Sequence, residues 1–418
     1  MPHSDHSLSA ARDTFPGLPS FPDNVPTAPL LRISLQKLLQ HDEEEQNRCW
    51  KACCELGFFY LDVRNAATPP RSITGDENES EQAIDGDALL QDVDTLFSVM
   101  KDFYNLDVQE KTKYDFKAQG TYFGYKGYGE GIVDAKGTKD RNEFYNVSSL
   151  PPHVPSFSLN TSQISKDDIL SLSAPLPAHA ILSAHRSLYK SYIHTSHAIC
   201  MLIASLLSSR LPLTDAARAA GGLPALHRLD AHSGDQIRFV RAPPQEASVK
   251  GVALGEHTDF GSVTVLFNRI GGLQVRLPTS IAANPPLSTA PPPTETERRL
   301  CEDGWAYVRP LAGHCIVNLG DALVKFSRGG LRSNIHRVVA PPGEQGAVER
   351  YSLVYFCRPE DEVLLRGLVA GGEGEKGEEE VTAKDWILRR ALGRREADGW
   401  EKSNGTESSS MRSGGVRT

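Results

Sequence analysis

The chain has 418 residues, enough for one large domain or two ordinary ones, and its 39% apolar and 23% charged composition is typical of a globular protein. Its formal net charge of −8, with no run rich in lysine or arginine, gives no reason to expect nucleic acid as a partner. No stretch approaches the roughly 20 apolar residues that a membrane helix needs. Residues 1–25 are polar and lack the apolar centre of a signal peptide, so we expect a disordered leader on a cytoplasmic protein.

The seven cysteines are scattered along the chain and include no CxxC pair. This spacing argues against a disulfide scaffold and against a zinc site built from cysteines. We therefore expect thiols that are buried as small apolar side chains and remain reduced.

Residues 26–215 are predicted to form a mixed, mainly helical region. Apolar residues recur at helical spacing from about Leu35 to Leu56, and Gly57 follows as a helix stop. The next predicted elements are a short buried strand at 58–63, a polar surface insertion at 67–86, and helices at about 88–104 and 180–211.

Residues 216–366 have a different pattern, with short runs rich in strand-forming residues separated by turn residues. Eight such runs suggest a sandwich, jelly roll or barrel; they are 236–241, 249–254, 262–267, 273–277, 305–309, 315–319, 334–339 and 350–357. The segment 278–304 is so rich in proline and threonine that we expect a long unstructured loop inserted in this core. Residues 367–418 are predicted to be an acidic linker and a C-terminal tail, with one amphipathic helix within 382–395.

A possible metal site begins with His257 and Asp259, directly before an alternating apolar run. On a strand, residues two apart point to the same face, so both side chains could bind one ion. His336 lies in another predicted strand. Two histidines and one carboxylate form the facial set that holds non-haem Fe(II) and leaves other positions open. Zinc can also use such ligands, so the ligands alone do not identify the metal.

Arg350 and Ser352 show the same spacing on the last predicted strand. A guanidinium holds a carboxylate through two parallel hydrogen bonds, and a neighbouring hydroxyl adds a third. A carboxylate clamp beside Fe(II) is what 2-oxoglutarate requires, because its keto-acid end chelates iron while its far carboxylate needs a cation. These two residues therefore favour 2-oxoglutarate as a co-substrate.

The HxD, His and RxS motifs, set within "GGLQV", "GWAYVRPLAGHCIVNLGDAL" and "GGLRSNIHRVV", resemble the Fe(II)/2-oxoglutarate-dependent dioxygenases of the isopenicillin N synthase-like superfamily. The likeness is dense over 230–360, and "LGFFYLDV" resembles that family's leading domain. It implies a mixed α and β fold, with a double-stranded β-helix (jelly roll) core flanked by N-terminal helices. It also implies O2 as a reactant, with ascorbate as a supporting reductant. The residues it implies are His257, Asp259 and His336 as catalytic iron ligands, and Arg350 and Ser352 on 2-oxoglutarate.

The chain departs from the family at Ala242, where members commonly carry a tyrosine that helps to hold the co-substrate. Arg238 and Arg241 are the neighbouring side chains that could compensate. The Pro-rich insert also makes the segment from Asp259 to His336 longer than is usual in the family.

Substrate contacts are predicted at Tyr122 and Tyr125, in a glycine-rich segment, and at Phe356 on the last strand. Asp321 lies beside a glycine turn and is interpreted as a turn former. His314 is interpreted as a solvated loop residue.

The predicted reaction is hydroxylation or desaturation of a small organic molecule in specialised metabolism, coupled to oxidative decarboxylation of 2-oxoglutarate. A related Fe(II) oxidase that uses O2 without 2-oxoglutarate, in an oxidative cyclisation, is the main alternative. A zinc hydrolase on a jelly roll and a metal-free binding protein are further alternatives. We expect a monomer or weak homo-oligomer that binds neither nucleic acid nor membranes.

Overall fold

Helices dominate the first half of the chain and strands the second, as the patterns predicted. The computed structural model describes residues 13–68, 83–119, 123–134, 136–146, 178–245, 251–287, 290–369 and 381–393. The α-helices are α1 (Leu35–Leu39), α2 (Glu43–Glu55), α3 (Gly86–Tyr104), α4 (Val108–Thr112), α5 (Ala180–Ser183), α6 (Arg186–Arg210), α7 (Asp215–Ala219), α8 (Glu295–Arg299), α9 (Asp321–Phe326) and α10 (Ala383–Gly393). The strands are β1 (Arg32–Ser34), β2 (Phe58–Asp62), β3 (Gly124–Lys126), β4 (Glu143–Asn146), β5 (Gln236–Ala242), β6 (Val252–His257), β7 (Val263–Asn268), β8 (Leu273–Arg276), β9 (Trp305–Tyr307), β10 (His314–Leu319), β11 (His336–Val339) and β12 (Arg350–Cys357).

Two sheets form the core, and all eight strands predicted after residue 229 are present. The larger sheet follows the order β1-β2-β10-β7-β12-β5-β4-β3, and the smaller follows β6-β11-β8-β9. All strand pairs are antiparallel except β1 with β2. This is the jelly-roll core with flanking helices that the family resemblance implied. Because β1 to β4 complete the larger sheet, the N-terminal region is built into the core rather than folded apart from it.

Successive side chains of the central strands point to opposite faces of the sheet and so belong to two separate apolar clusters. On β7, Val265 and Phe267 pack in the cluster that contains helices α3 and α6, whereas Leu266 packs between the sheets. On β12, Leu353 faces the helices and Val354 faces the interior in the same way. The helices therefore cover one face of the larger sheet and leave the space between the sheets for a site.

None of the described helices combines the length and apolar character needed to cross a membrane.

The first predicted helix is interrupted, so the single helix expected over 35–56 is wrong. His41 adopts a left-handed φ of 57°, and the Asp42 side chain then caps α2 by accepting a 2.8 Å hydrogen bond from the Glu45 N–H. The stop at Gly57 is confirmed, because its φ of +68° favours glycine and a side chain there would collide with the Arg332 carbonyl.

The insert at 278–304 lies between β8 and β9, but the expectation that it is unstructured is wrong. It contains α8, whose start is a capping box formed by Thr294 and Glu297. Glu297 also accepts a 3.0 Å hydrogen bond from the Gly343 N–H, and the Leu300 carbonyl accepts one of 2.8 Å from the Gln274 side chain. The second half of the insert therefore packs on the core.

Most of the cysteines are buried, as predicted. All seven are unpaired, five are buried and two are half-buried.

A buried polar cluster joins helix α6 to the outer face of β12. The Tyr355 hydroxyl donates a 2.6 Å hydrogen bond to Asp235, and His197 Nδ1 lies 3.2 Å from that hydroxyl and 3.5 Å from the carboxylate. Burial alone would lower the pKa of His197, but its contacts with Asp235 and Cys357 reverse this effect and raise the pKa to about 9. His197, Asp235 and Cys357 also have the spacing of a metal site. The short distance from Nδ1 to the carboxylate and the raised pKa of His197 favour an ion pair with Asp235 in this cluster.

The packing of the insert predicts a stability effect at Glu297. Replacing Glu297 with alanine removes the capping box and the bond to Gly343, and we expect a loss of about 1–3 kcal/mol in unfolding free energy. Urea unfolding measures this loss. Glu295→Ala is the control, because Glu295 is exposed on the same helix and should change stability by less than about 0.5 kcal/mol. Equal midpoints for Glu297→Ala and wild type would show that the insert contributes nothing to the core.

The His197 cluster predicts a pH dependence. The folded-state pKa of about 9 lies above the usual unfolded value of about 6.5, so the ion pair stabilises the fold fully below pH 6.5. That stability is lost as the pH rises through 9. We expect His197→Gln to lower the free energy of unfolding, measured by urea denaturation, by about 1–3 kcal/mol near pH 6 and by much less above pH 9.5. The control is His194→Gln on the same helix. Burial lowers the pKa of His194, so its imidazole is neutral above pH 7 and the variant should lose no unfolding free energy there. A His197→Gln cost that does not change with pH contradicts the ion pair.

Candidate functional site

Strand register brings two histidines together from distant parts of the sequence. His257 ends β6 and His336 begins β11, and the antiparallel pairing sets them directly opposite each other. Side chains of directly opposed residues lie on one face with Cβ atoms about 4.5–5.5 Å apart. Accordingly the two imidazole rings have their centroids 4.2 Å apart.

Asp259 reaches these rings from a turn, not from a strand. Strand β6 ends at His257, so the expectation that Asp259 shares a strand face with His257 is wrong. Its Oδ2 accepts 2.7 Å hydrogen bonds from the Thr264 hydroxyl and from the Asn318 amide. Its Oδ1 lies 4.0 Å from His257 Nε2 and 3.9 Å from His336 Nε2. The two donors therefore fix which carboxylate oxygen faces the histidines.

Backbone carbonyls orient both imidazole rings. His257 Nδ1 lies 2.8 Å from the Gly255 carbonyl, and His336 Nδ1 lies 3.1 Å from the Asn334 carbonyl. A carbonyl only accepts, so each Nδ1 carries the hydrogen and each Nε2 presents its lone pair in the neutral ring. The ligand atoms of His257, Asp259 and His336 all lie within 4.8 Å of one another. Two imidazole nitrogens and one carboxylate oxygen suit a divalent first-row metal such as Fe(II).

A cavity lies between the two sheets, and the side chains of His257, Asp259 and His336 are among its lining residues. Most of its walls are apolar, and its lining residues include Phe58, Val240, Ala253, Leu254, Leu266, Leu273, Val338, Val354 and Phe356.

Arg350 and Ser352 line the same cavity from β12, as their spacing predicted. Arg350 is buried, with Nε donating to the Gly271 carbonyl at 2.7 Å and Nη1 donating to the Ser352 hydroxyl at 2.6 Å. Burial lowers the pKa of Arg350 to about 10, so the side chain stays charged at neutral pH. No carboxylate of the described residues forms an ion pair with it. A buried cation of this kind is costly unless an anion joins it, so the site suits an anionic ligand.

Ala242 lies directly opposite Arg350 in the β5–β12 pairing, and its methyl group lines the cavity. A small side chain here leaves space beside the guanidinium. Arg241 does not fill that space, because it forms ion pairs with Glu143 and Glu349 and is absent from the cavity lining.

Arg238, by contrast, lines the cavity next to a residue predicted to contact substrate. Its guanidinium carbon lies 4.7 Å from the centre of the Phe144 ring and 5.0 Å from that of Phe356. Its Nε donates a 2.7 Å hydrogen bond to Asn146. Phe356 and Arg238 together give this wall both an aromatic and a cationic surface.

The two predicted tyrosines have different outcomes. Tyr122 lies outside the described residues. Tyr125 is buried, donates its hydroxyl hydrogen to Glu143 and is not among the cavity-lining residues. The structure therefore brings Phe356, but not Tyr125, to the site.

Two interpretations of polar residues are wrong. Asp321, interpreted as a turn former, is fully buried at the start of α9, where it accepts a 2.9 Å hydrogen bond from Thr258 and pairs with Arg390. His314, interpreted as solvated, is buried in β10 with its ring 6.3 Å from that of Tyr60. Local sequence did not reveal these partners, since they lie far away along the chain.

Sequence reasoning also missed the two residues that hold Asp259. Thr264 and Asn318 lie on neighbouring strands, β7 and β10, where their side chains face Asp259. A signal was present at Asn318, because this amide interrupts the otherwise apolar run "CIVNL". A polar residue in a buried strand needs a partner.

Comparisons with known proteins agree with this geometry. The family model described as the 2OG-Fe(II) oxygenase superfamily matches residues 234–359, and that of the non-haem dioxygenase in morphine synthesis N-terminal matches 28–166. A 2-oxoglutarate-dependent dioxygenase of Aspergillus fumigatus is 31% identical over 360 residues, covering 85% of this chain and 81% of the relative. Another, from a Dothideomycetidae species, is 30% identical over 363 residues, covering 87% and 89%. A full-length Neurospora crassa protein, solved in complex with alpha-KG and thymine, shares the fold with a TM-score of 0.58 at 20% identity, covering 87% and 96%.

Proposed function

The chain belongs to the 2-oxoglutarate-dependent Fe(II) dioxygenases, and on that premise we propose that His257, Asp259 and His336 hold its catalytic iron. The observation that carries this proposal is the convergence of two Nε2 atoms and one Oδ1 of residues that line the cavity. The opposite atoms of the same groups, each Nδ1 and the carboxylate Oδ2, are engaged by protein hydrogen bonds. Each side chain therefore presents one ligand atom in a fixed direction.

We further propose that Arg350 and Ser352 hold the far carboxylate of 2-oxoglutarate. The Gly271 carbonyl fixes the guanidinium at Nε, and Ser352 adds a hydroxyl beside it. When bound, the iron supplies oxidising chemistry with O2, driven by decarboxylation of 2-oxoglutarate to succinate and CO2. The role of Arg350 is to bind and orient the co-substrate, so that its keto-acid end meets the metal ligands.

The cavity walls define the substrate class in this proposal. Val240, Leu254, Leu266 and Val354 give a mostly apolar surface that excludes water and holds a carbon near the metal ligands. The substrate is thus a small, largely apolar organic molecule, which is hydroxylated or desaturated. The fungal relatives support a place in specialised metabolism. We also propose that the enzyme works in the cytoplasm, as a monomer or weak homo-oligomer, without nucleic acid.

The alternatives are less well supported. A zinc hydrolase needs a general base, yet among the described lining residues the only ionisable groups besides His257, Asp259 and His336 are Arg238 and Arg350. An oxidase of this superfamily that does not use 2-oxoglutarate also carries the Arg and Ser pair, so Arg350 and Ser352 do not separate the two readings. The relatives named 2-oxoglutarate-dependent dioxygenases favour 2-oxoglutarate.

The function is tested by measuring succinate release against a library of small organic molecules with Fe(II), ascorbate and O2. We expect succinate formation that depends on 2-oxoglutarate and rises with a matching substrate. An enzyme that consumes O2 and oxidises a substrate without forming succinate would establish the oxidase instead.

The iron ligands predict a metal-binding defect. His257→Ala and His336→Ala each leave two of three ligands, so we expect purified protein to lose nearly all of its bound iron and all turnover. Metal analysis of the purified variants measures the iron content. His194→Ala, outside the cavity lining, is the control and should retain iron. Iron content equal to wild type in either ligand variant contradicts the assignment.

The proposed contacts of Arg350 and Ser352 with the far carboxylate predict losses of 2-oxoglutarate affinity of different size. Truncating one partner of a buried charge contact typically costs about 2–5 kcal/mol, so Arg350→Met should weaken 2-oxoglutarate binding roughly 30- to several-thousand-fold. Arg350→Lys should retain only part of the 2-oxoglutarate affinity, because an ammonium cannot form the two parallel hydrogen bonds of a guanidinium. Ser352→Ala should cost about 1 kcal/mol.

Calorimetric titration of 2-oxoglutarate into the metal-loaded protein without O2 measures these affinities. Unchanged 2-oxoglutarate affinity in Arg350→Met, with lost affinity for the organic substrate, would instead assign Arg350 to that substrate.

A further inference from the structure

Helix α10 reaches the turn that carries Asp259, although it was expected to be part of a tail. Arg390 on this helix is buried, and its Nη2 lies 3.0 Å from Asp321 Oδ2 and 3.5 Å from the Thr258 hydroxyl. Thr258 is the residue between His257 and Asp259. Arg390 of α10 thus contacts the residue that separates two of the proposed iron ligands in the sequence.

Asp321 links Arg390 to this turn in two ways. Its Oδ2 accepts a 2.9 Å hydrogen bond from the Thr258 hydroxyl, and its backbone N–H donates a 2.8 Å hydrogen bond to the Asp259 carbonyl. Thr258 and Asp321 are each 0% exposed, so water does not replace these bonds. Asp321 therefore holds both a side chain and a carbonyl of the turn.

Aromatic contacts join α10 to the other side of Asp259. The Arg390 guanidinium carbon lies 4.6 Å from the centre of the Phe260 ring and 4.9 Å from that of Trp386. Trp386 Nε1 donates a 3.3 Å hydrogen bond to the Phe260 carbonyl. The helix consequently contacts residues on both sides of Asp259.

We propose that Arg390 is a positioning residue for the iron ligands, acting through Asp321. The argument rests on the proposed function of His257, Asp259 and His336. Asp259 lies beyond the end of β6, so no strand pairing of β6 fixes its backbone. The backbone N–H groups of Asp321 and Ala322 hold the Asp259 and Gly261 carbonyls, and the buried ion pair of Arg390 with Asp321 fixes the segment that donates these bonds. Removing one member of such a pair leaves a buried charge without its partner, and the turn shifts to accommodate it.

The test uses Arg390→Met, which keeps much of the side-chain bulk and removes the charge. Loss of a group that orients a metal ligand typically weakens metal binding roughly 10- to 100-fold, so we expect an Fe(II) dissociation constant raised by that factor under anaerobic conditions. The visible absorption of the Co(II)-loaded protein should change, because the Asp259 carboxylate sits differently. Binding of 2-oxoglutarate at saturating metal should change little, since Arg350 lies on β12. Arg390→Lys should recover part of the metal affinity.

The matched control is Lys384→Met on the same helix. Lys384 pairs with Asp361 at 3.5 Å, away from the metal ligands. This variant should lower the melting temperature without changing Fe(II) affinity or the Co(II) spectrum. Asp321→Asn, a neutral variant of nearly the same shape, should weaken Fe(II) binding in the same direction as Arg390→Met.

The outcomes separate this inference from the proposed function. Wild-type Fe(II) affinity and an unchanged Co(II) spectrum in Arg390→Met overturn the positioning role, as does an equal loss of Fe(II) affinity in Lys384→Met. If His257→Ala binds Fe(II) as wild type does, the iron site itself is misassigned. If only His257→Ala loses iron, the iron site stands and the role of Arg390 does not.

Discussion

The antiparallel pairing of β6 with β11 is the constraint on which the rest of the site depends. It sets His257 opposite His336, at the end of one strand and the start of the other. A register slip of one residue would turn a whole strand's side chains to the other face, so the same pairing that buries the apolar residues also aims the histidines inward. The smaller sheet is therefore both a wall of the core and the frame of the proposed metal site.

Both sheets contribute charged or polar side chains to the cavity. The histidines come from the smaller sheet, while Arg350 and Ser352 come from β12 in the larger one. Helices α3 and α6 pack on the outer face of the larger sheet, which leaves the space between the sheets for a ligand. A buried guanidinium without a carboxylate partner among the described residues is a cost to the empty protein, and this cost is the basis for binding an anionic co-substrate there.

Segments that looked peripheral contribute to the centre. The insert between β8 and β9 contacts the core through Glu297 and Leu300. Helix α10 contacts Thr258 and Phe260 across the turn that holds Asp259. In both cases a buried or half-buried polar side chain makes a bond that replaces water. Helix α10 also packs through apolar side chains, since Ala383 and Ile387 are buried in the core.

The sequence by itself determined the strands of the core, the three proposed metal ligands and the Arg350–Ser352 pair, because each depends on local alternation or on a motif with fixed chemistry. It also indicated the family, since these motifs occur together in the expected order. Tertiary structure alone decided that Asp259 lies in a turn, that Asp321 pairs with Arg390, that His314 is buried and that Tyr125 faces away from the cavity. The reason is physical: periodicity reports which face of an element is apolar, whereas the partner of a polar side chain depends on which distant segment folds against it.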